Sequence, residues 1–140
     1  MMIITTKTIN ATFIRQLARD VFKFSYLCAG IPFVDIANLT MDNITDGKLS
    51  YTRQKTHGDI NVTICEQAME IIEKYTYHRK EAKYLFPVFD ARVHKTAQQK
   101  ANRVHKVCAQ VNKELKQLAD ELEIDTNLIT YVAKHHTISI

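Results

Sequence analysis

The chain has no tryptophan and, in 140 residues, only three glycines and two prolines. So few chain breakers leave no room for a flexible linker or a low-complexity tract. The three cysteines, Cys28, Cys65 and Cys108, are odd in number and far apart. That argues against a disulfide framework and for a reducing compartment, with each thiol packed as a small hydrophobe. There is no CxxC pair. His135 and His136 are adjacent, so they face different sides of a helix and have no acid at ligand spacing. A metal site is therefore not expected. No apolar run approaches the roughly 20 residues of a membrane span. The opening MMIITTKTIN lacks the basic and then apolar regions of a secretory signal. The expectation is a single cytoplasmic domain, long enough to bury a core.

What is present is patterned charge and helical periodicity. The net charge is +4. Between Ala91 and Lys113 stand Arg92, Lys95, Lys100, Arg103, Lys106 and Lys113, with no acid among them. Such a block is either an electrostatic footprint for phosphates or a solvated helix face.

Apolar spacing of three and four predicts a helix from Ala11 to about Cys28, stopped by Gly30 and Pro32, and a short one over Phe33–Leu39. Asn43 to Gly47 is turn chemistry. Leu49, Tyr51 and Arg53, then Ile60, Val62 and Ile64, alternate with Ser, Thr and Asn. They predict a β-hairpin over Lys48–Ile64 with one face solvated. Its connection is Thr56, His57, Gly58 and Asp59, with Gly58 free to take a positive φ.

A helix over Glu66–Tyr75 follows, then a basic connection, then the apolar YLFPVF at Tyr84–Phe89, strand-like until Pro87. A long helix from about Thr96 to Leu122 carries Ala101, Val104, Cys108, Val111, Leu115, Leu118 and Leu122 as a heptad seam. The seam suits a core helix or a dimeric interaction module. A last helix begins after Asp125 or Thr126. The expected fold is α+β and mostly helical, a small antiparallel hairpin or sheet packed on a helical bundle.

The words ARDVFKFSYLCAGIPFVDIANLT and LSYTRQKTHGDINVTI, then a long helix, then TYVAKHH, resemble in this order the catalytic domain of tyrosine recombinases, the phage-integrase family. The likeness is to integrases of bacterial conjugative and other mobile elements, over about residues 13–140. In that family a tyrosine hydroxyl cuts DNA to a 3′-phosphotyrosyl intermediate. Arginines and a histidine neutralise the scissile phosphate, and a hairpin lysine protonates the leaving 5′-oxygen. The covalent intermediate keeps the bond energy, so the resemblance implies no cofactor and no metal.

Carried onto this chain, the resemblance makes Lys55 the hairpin lysine, with Thr56 and Gly58 as turn companions. The other reading of Lys55 is a solvated turn lysine. Asp35 matches the acid of the first arginine motif, whose arginine would lie near Ala29 or Pro32. In the second motif, H-x-x-R-H, Tyr131 takes the first histidine's place, Lys134 the arginine's, and His135 the last histidine's. Lysine keeps the charge but not the bidentate fork.

Neither family arginine is present. None of Tyr26, Tyr51, Tyr75, Tyr77, Tyr84 and Tyr131 follows the second motif as the nucleophile would. The resemblance thus implies a partial catalytic domain, without the family's DNA-clamping N-terminal domain and its tyrosine segment, and inactive alone. Expected catalytic positions are Lys55, Lys134, His135 and Tyr131. Arg53, Gln54, Thr56, Arg103 and Lys106 are expected at the DNA. The implied partner is double-stranded DNA near the nucleoid, with homo-oligomers on DNA. A non-catalytic DNA-binding relic and a helical interaction module are the alternatives.

Overall fold

In a computed structural model of the chain, the described residues are 11–121. They form α1 (Ala11–Leu27), α2 (Phe33–Asn38), a 3-10 turn (Met41–Asn43), β1 (Ile44–Thr45), β2 (Lys48–Thr52), β3 (Asp59–Thr63), α3 (Glu66–Thr76) and α4 (Ala97–Glu121). The architecture is the expected mostly helical α+β, with a three-stranded antiparallel sheet in the order β1-β2-β3. The helix expected after Asp125 lies outside the described residues.

Helix α1 buries Ile14, Leu17, Ala18, Val21 and Phe24; the spacing predicted Phe13, Leu17, Val21 and Phe24, and Phe13 is only half-buried. It ends in a left-handed stop: Ala29 has φ 60° and Gly30 φ 79°, and the Gly30 N–H donates to Ser25 O at 2.7 Å. Ser25 Oγ donates to Ile31 O at 2.8 Å, which turns the chain toward Pro32 and α2. Asp20, also buried, fastens α1 to α3 by accepting from Tyr75 Oη at 2.5 Å and Lys74 Nζ at 2.9 Å. Burial, and then this bond, push the Tyr75 hydroxyl well above the ordinary tyrosine range. Phe86 completes the centre, 5.1 Å from the Phe24 ring and 5.4 Å from Tyr75.

The sheet differs from expectation in one strand. Asp46 (φ 52°) and Gly47 (φ 72°) are both left-handed and make a two-residue hairpin turn, so Ile44–Thr45 pair with β2. The Asp-Gly pair carried that signal in the sequence. The faces divide as predicted. Leu49 and Tyr51 are buried, Ile60 and Val62 half-buried, while Ser50 and Thr52 stand outside. On the solvent face Ser50 Oγ donates to Asn61 Oδ1 at 2.5 Å and Thr52 Oγ1 to Asp59 Oδ1 at 2.8 Å. Each pair sits directly opposite in the register.

Two further expectations are corrected. Tyr84–Phe89 is not a strand. All six residues are buried in succession, Pro87 has no N–H to give a ladder, and one backbone bond, Leu85 N–H to Leu39 O at 2.9 Å, ties the segment to the end of α2. On α4, Ala101 is exposed and Val104, Cys108 and Leu118 only half-buried. The buried line is Arg103, Val107, Val111, Leu115 and Ala119, one residue in every four. Packing on α1 and α2 selects this i, i+4 ridge over the mixed three-and-four seam. The buried ridge packs inside the chain, while Ala101, Val104, Cys108 and Leu118 of the expected seam keep part of their surface outside. Of the cysteines only Cys28 is buried; Cys65 and Cys108 are intermediate.

Candidate functional site

The hairpin connecting β2 to β3 is held from both ends. The Arg53 N–H donates to Gly58 O at 2.9 Å, and the His57 N–H returns to Arg53 O at 2.8 Å. Gln54 to His57 therefore form the tip, and Asp59 belongs to β3. The left-handed residue is His57, φ 60°, and not Gly58 as the sequence suggested. Histidine is among the side chains that tolerate this region.

The tip is also latched from below. Asp35, on α2 and only 3 % exposed, accepts the Gln54 N–H at Oδ1, 3.0 Å. A buried carboxylate nineteen residues away in sequence thus fixes the backbone one residue before Lys55. With the tip so fixed, Lys55 and Thr56 are both exposed. Gln54 presents its side chain on the same tip and is likewise exposed.

Arg53 sits at the base of the tip, half-buried. Its Nε is buried without a hydrogen-bond partner among the described residues. Burial raises the Tyr51 hydroxyl's pKa; a hydrogen bond to Arg53 opposes the rise and Asp35 adds to it. Asp35, Tyr51 and Arg53 are thus neighbours under the tip. The unmade bond at this buried donor costs about 1–3 kcal/mol, and the Arg53 charge stands close beneath the exposed Lys55.

The remaining expected residues are distributed differently. Lys106 is exposed on α4. Arg103, expected at the DNA, is drawn inward. It is 6 % exposed, and its Nε donates to Val88 O at 2.8 Å, so it fastens α4 to the Tyr84–Phe89 segment. Tyr131, Lys134 and His135 lie outside the described residues. Among the described residues no group of His, Cys, Asp or Glu is arranged to hold a metal ion, and no helix is long and apolar enough to cross a membrane.

A second cationic locality was not legible beforehand. The guanidinium of Arg79 donates to the carbonyls of Tyr75 and Leu85 from Nη1, both at 3.0 Å, and of Tyr84 from Nη2, 3.3 Å. Lys100 lies over the rings of both Tyr84 and Phe89, at 5.3 and 5.0 Å. Basic residues in a loop are common, so only the fold could single these out.

No family model matches the sequence, and no curated protein matches it. Among solved structures the chain is similar to the crystal structure of XerA recombinase, with a TM-score of 0.53 at 14 % identity over 87 % of this chain. The match spans 47 % of that protein's length. The two share a fold.

Proposed function

We propose that this chain is the DNA-engaging part of a tyrosine-recombinase catalytic domain, of the mobile-element type, and that it grips duplex DNA through the β2–β3 tip. The carrying observation is that tip: Lys55 exposed on a turn latched to Asp35, above the half-buried cation Arg53. The recombinase fold supports the reading, since it is the setting in which a hairpin lysine meets a scissile phosphate.

In this reading the Arg53 guanidinium, half-buried at the base of the tip, offsets the charge of a backbone phosphate held by the exposed tip residues. Lys55 stands where a leaving 5′-oxygen would need a proton. Gln54 and Thr56 add neutral hydrogen bonds to the backbone, and Lys106 a further cation along α4. Tyr131, Lys134 and His135 are proposed at the same phosphate from the sequence motif alone.

Fluorescence anisotropy with duplex DNA over a series of salt concentrations tests the proposal. Affinity should fall linearly with salt on logarithmic axes, and Lys55→Ala and Arg53→Ala should each flatten the slope by about 1. No duplex binding at low salt, or slopes unmoved by both variants, would sink it.

A further inference from the structure

Two buried or half-buried guanidiniums border one cavity away from the hairpin. The cavity, about 360 Å³, lies between the Arg79–Tyr84 loop and the Phe89–Arg92 turn, with Arg103 in its wall. Its volume is at the small end of the range for small-molecule sites, roughly 300–1,000 Å³. Four cations and two carboxylates line it. One carboxylate, Asp90, is occupied: Arg92 donates to it from its backbone N–H at 2.9 Å and from its guanidinium at 3.3 Å. The other, Glu81, is on an exposed residue.

Arg79 is the informative residue. All its partners are carbonyl oxygens, which satisfy three of five N–H donors and supply no counter-charge. The two donors left are Nε–H and one on Nη2, the adjacent pair that forms the side-on fork for an oxyanion. The Arg79 Nε, unlike the Arg53 Nε, is not sealed from solvent. Burial lowers the pKa of both Arg79 and Arg103, a mark of cations held where charge is costly. Lys83, exposed beside the Tyr84 ring at 5.4 Å, adds a cation at the rim.

We propose that this cavity binds a phosphate monoester, its oxygens on the free fork of Arg79 with Lys83 closing over them and the Tyr84 and Phe89 rings walling the space for the ester's organic part. A dianion fits the net positive lining better than a carboxylate does. A duplex backbone fits it poorly, because a phosphodiester in a helix cannot enter a recess whose cations are drawn inward. The ester is either a free nucleotide or the terminal phosphate of a DNA strand. The site does not rest on the hairpin reading, and duplex binding can fail while this site stands.

Calorimetric titration of the full chain at fixed ionic strength tests the proposal, with inorganic phosphate, AMP, acetate, and a trinucleotide with and without a 5′-phosphate. Phosphate and AMP should saturate with Kd of about 1 mM or tighter, and acetate should bind at least ~10-fold more weakly. Lys83→Ala should weaken AMP by several-fold with an unchanged melting temperature. Arg79→Lys, which keeps charge and loses the fork, should weaken it by ~10-fold or more. Should Arg79→Lys fail to fold, the exposed Lys83 still decides the matter. A 5′-phosphorylated strand binding ~10-fold tighter than AMP supports the site with a strand end as its ligand; equal affinity supports it with the free nucleotide. Absence of saturation, acetate as tight as phosphate, or an unchanged affinity in Lys83→Ala overturns it.

Discussion

Replacing Asp35 by alanine should release the hairpin tip while leaving the sheet paired. The carboxylate is 3 % exposed and accepts the Gln54 N–H at 3.0 Å. A hydrogen bond to a charged group contributes about 1.5–3 kcal/mol net. Lost locally, that is roughly 10- to 150-fold faster opening at the Gln54 amide. The ladder from Lys48–Thr63 to Thr52–Asp59 does not involve Asp35 and should keep its protection. Hydrogen exchange followed by NMR reads both sets of amides in one experiment. Asp35→Asn keeps an acceptor oxygen and should recover part of the protection without the charge. If the Gln54 amide exchanges at the wild-type rate in Asp35→Ala, the latch is not what fixes the tip. The same variant should weaken duplex DNA less than Lys55→Ala, since it frees the lysine without removing it.

Ala29→Gly should stabilise the fold by about 1 kcal/mol, because Ala29 is exposed and holds φ 60° at the end of α1. Its melting temperature should rise by roughly 3 °C, and a fall would refute the left-handed stop. His94 Nδ1 accepts the Asp90 N–H at 2.9 Å, and burial, then Arg103, hold its pKa below the ordinary histidine value. A depressed folded pKa means its contribution is present above about pH 6.5 and lost as pH falls through the folded value. An NMR titration of His94 with a midpoint at or above that value would contradict this. Burial, then Cys65, push the Cys28 thiol up to about 12, so alkylation at pH 8 should spare Cys28 in the native state and reach it on unfolding.

Periodicity carried most of the fold. The stripes of α1 and α3 and the alternation of β2 and β3 are dictated by burial on one side, so they were legible at three-and-four and two-residue spacing. Where two forces compete, the pattern failed. The YLFPVF segment has strand-like residues, but burial on every side and Pro87 leave it tied by side-chain donors of Arg79. The α4 ridge shares Val111 and Leu115 with the expected seam and departs from it at the ends, where Arg103 reaches Val88. At the site, Lys55 could be picked from the sequence because a turn exposes it. The Asp35 latch on Gln54 and the Arg79 clasp join residues across loops whose closure no local pattern records. His57 took the left-handed position beside an available glycine because the bond from its N–H to Arg53 O sets where the turn closes.

The pairing of α1 with α4 has a consequence for how the chain is made. Arg15 Nε meets Glu114 Oε1 at 3.3 Å across 99 residues of sequence. Closing a loop of that length costs about 4 kcal/mol in chain entropy before any contact repays it. The hairpin and α3 can form from neighbours, and α3 and Phe86 can cover part of α1, but the part of α1 that packs on α4 stays open until Val107, Val111 and Leu115 have left the ribosome. Core completion therefore waits for α4, and a chain interrupted before it would leave the α4-facing part of α1 open to whatever apolar surface it meets first.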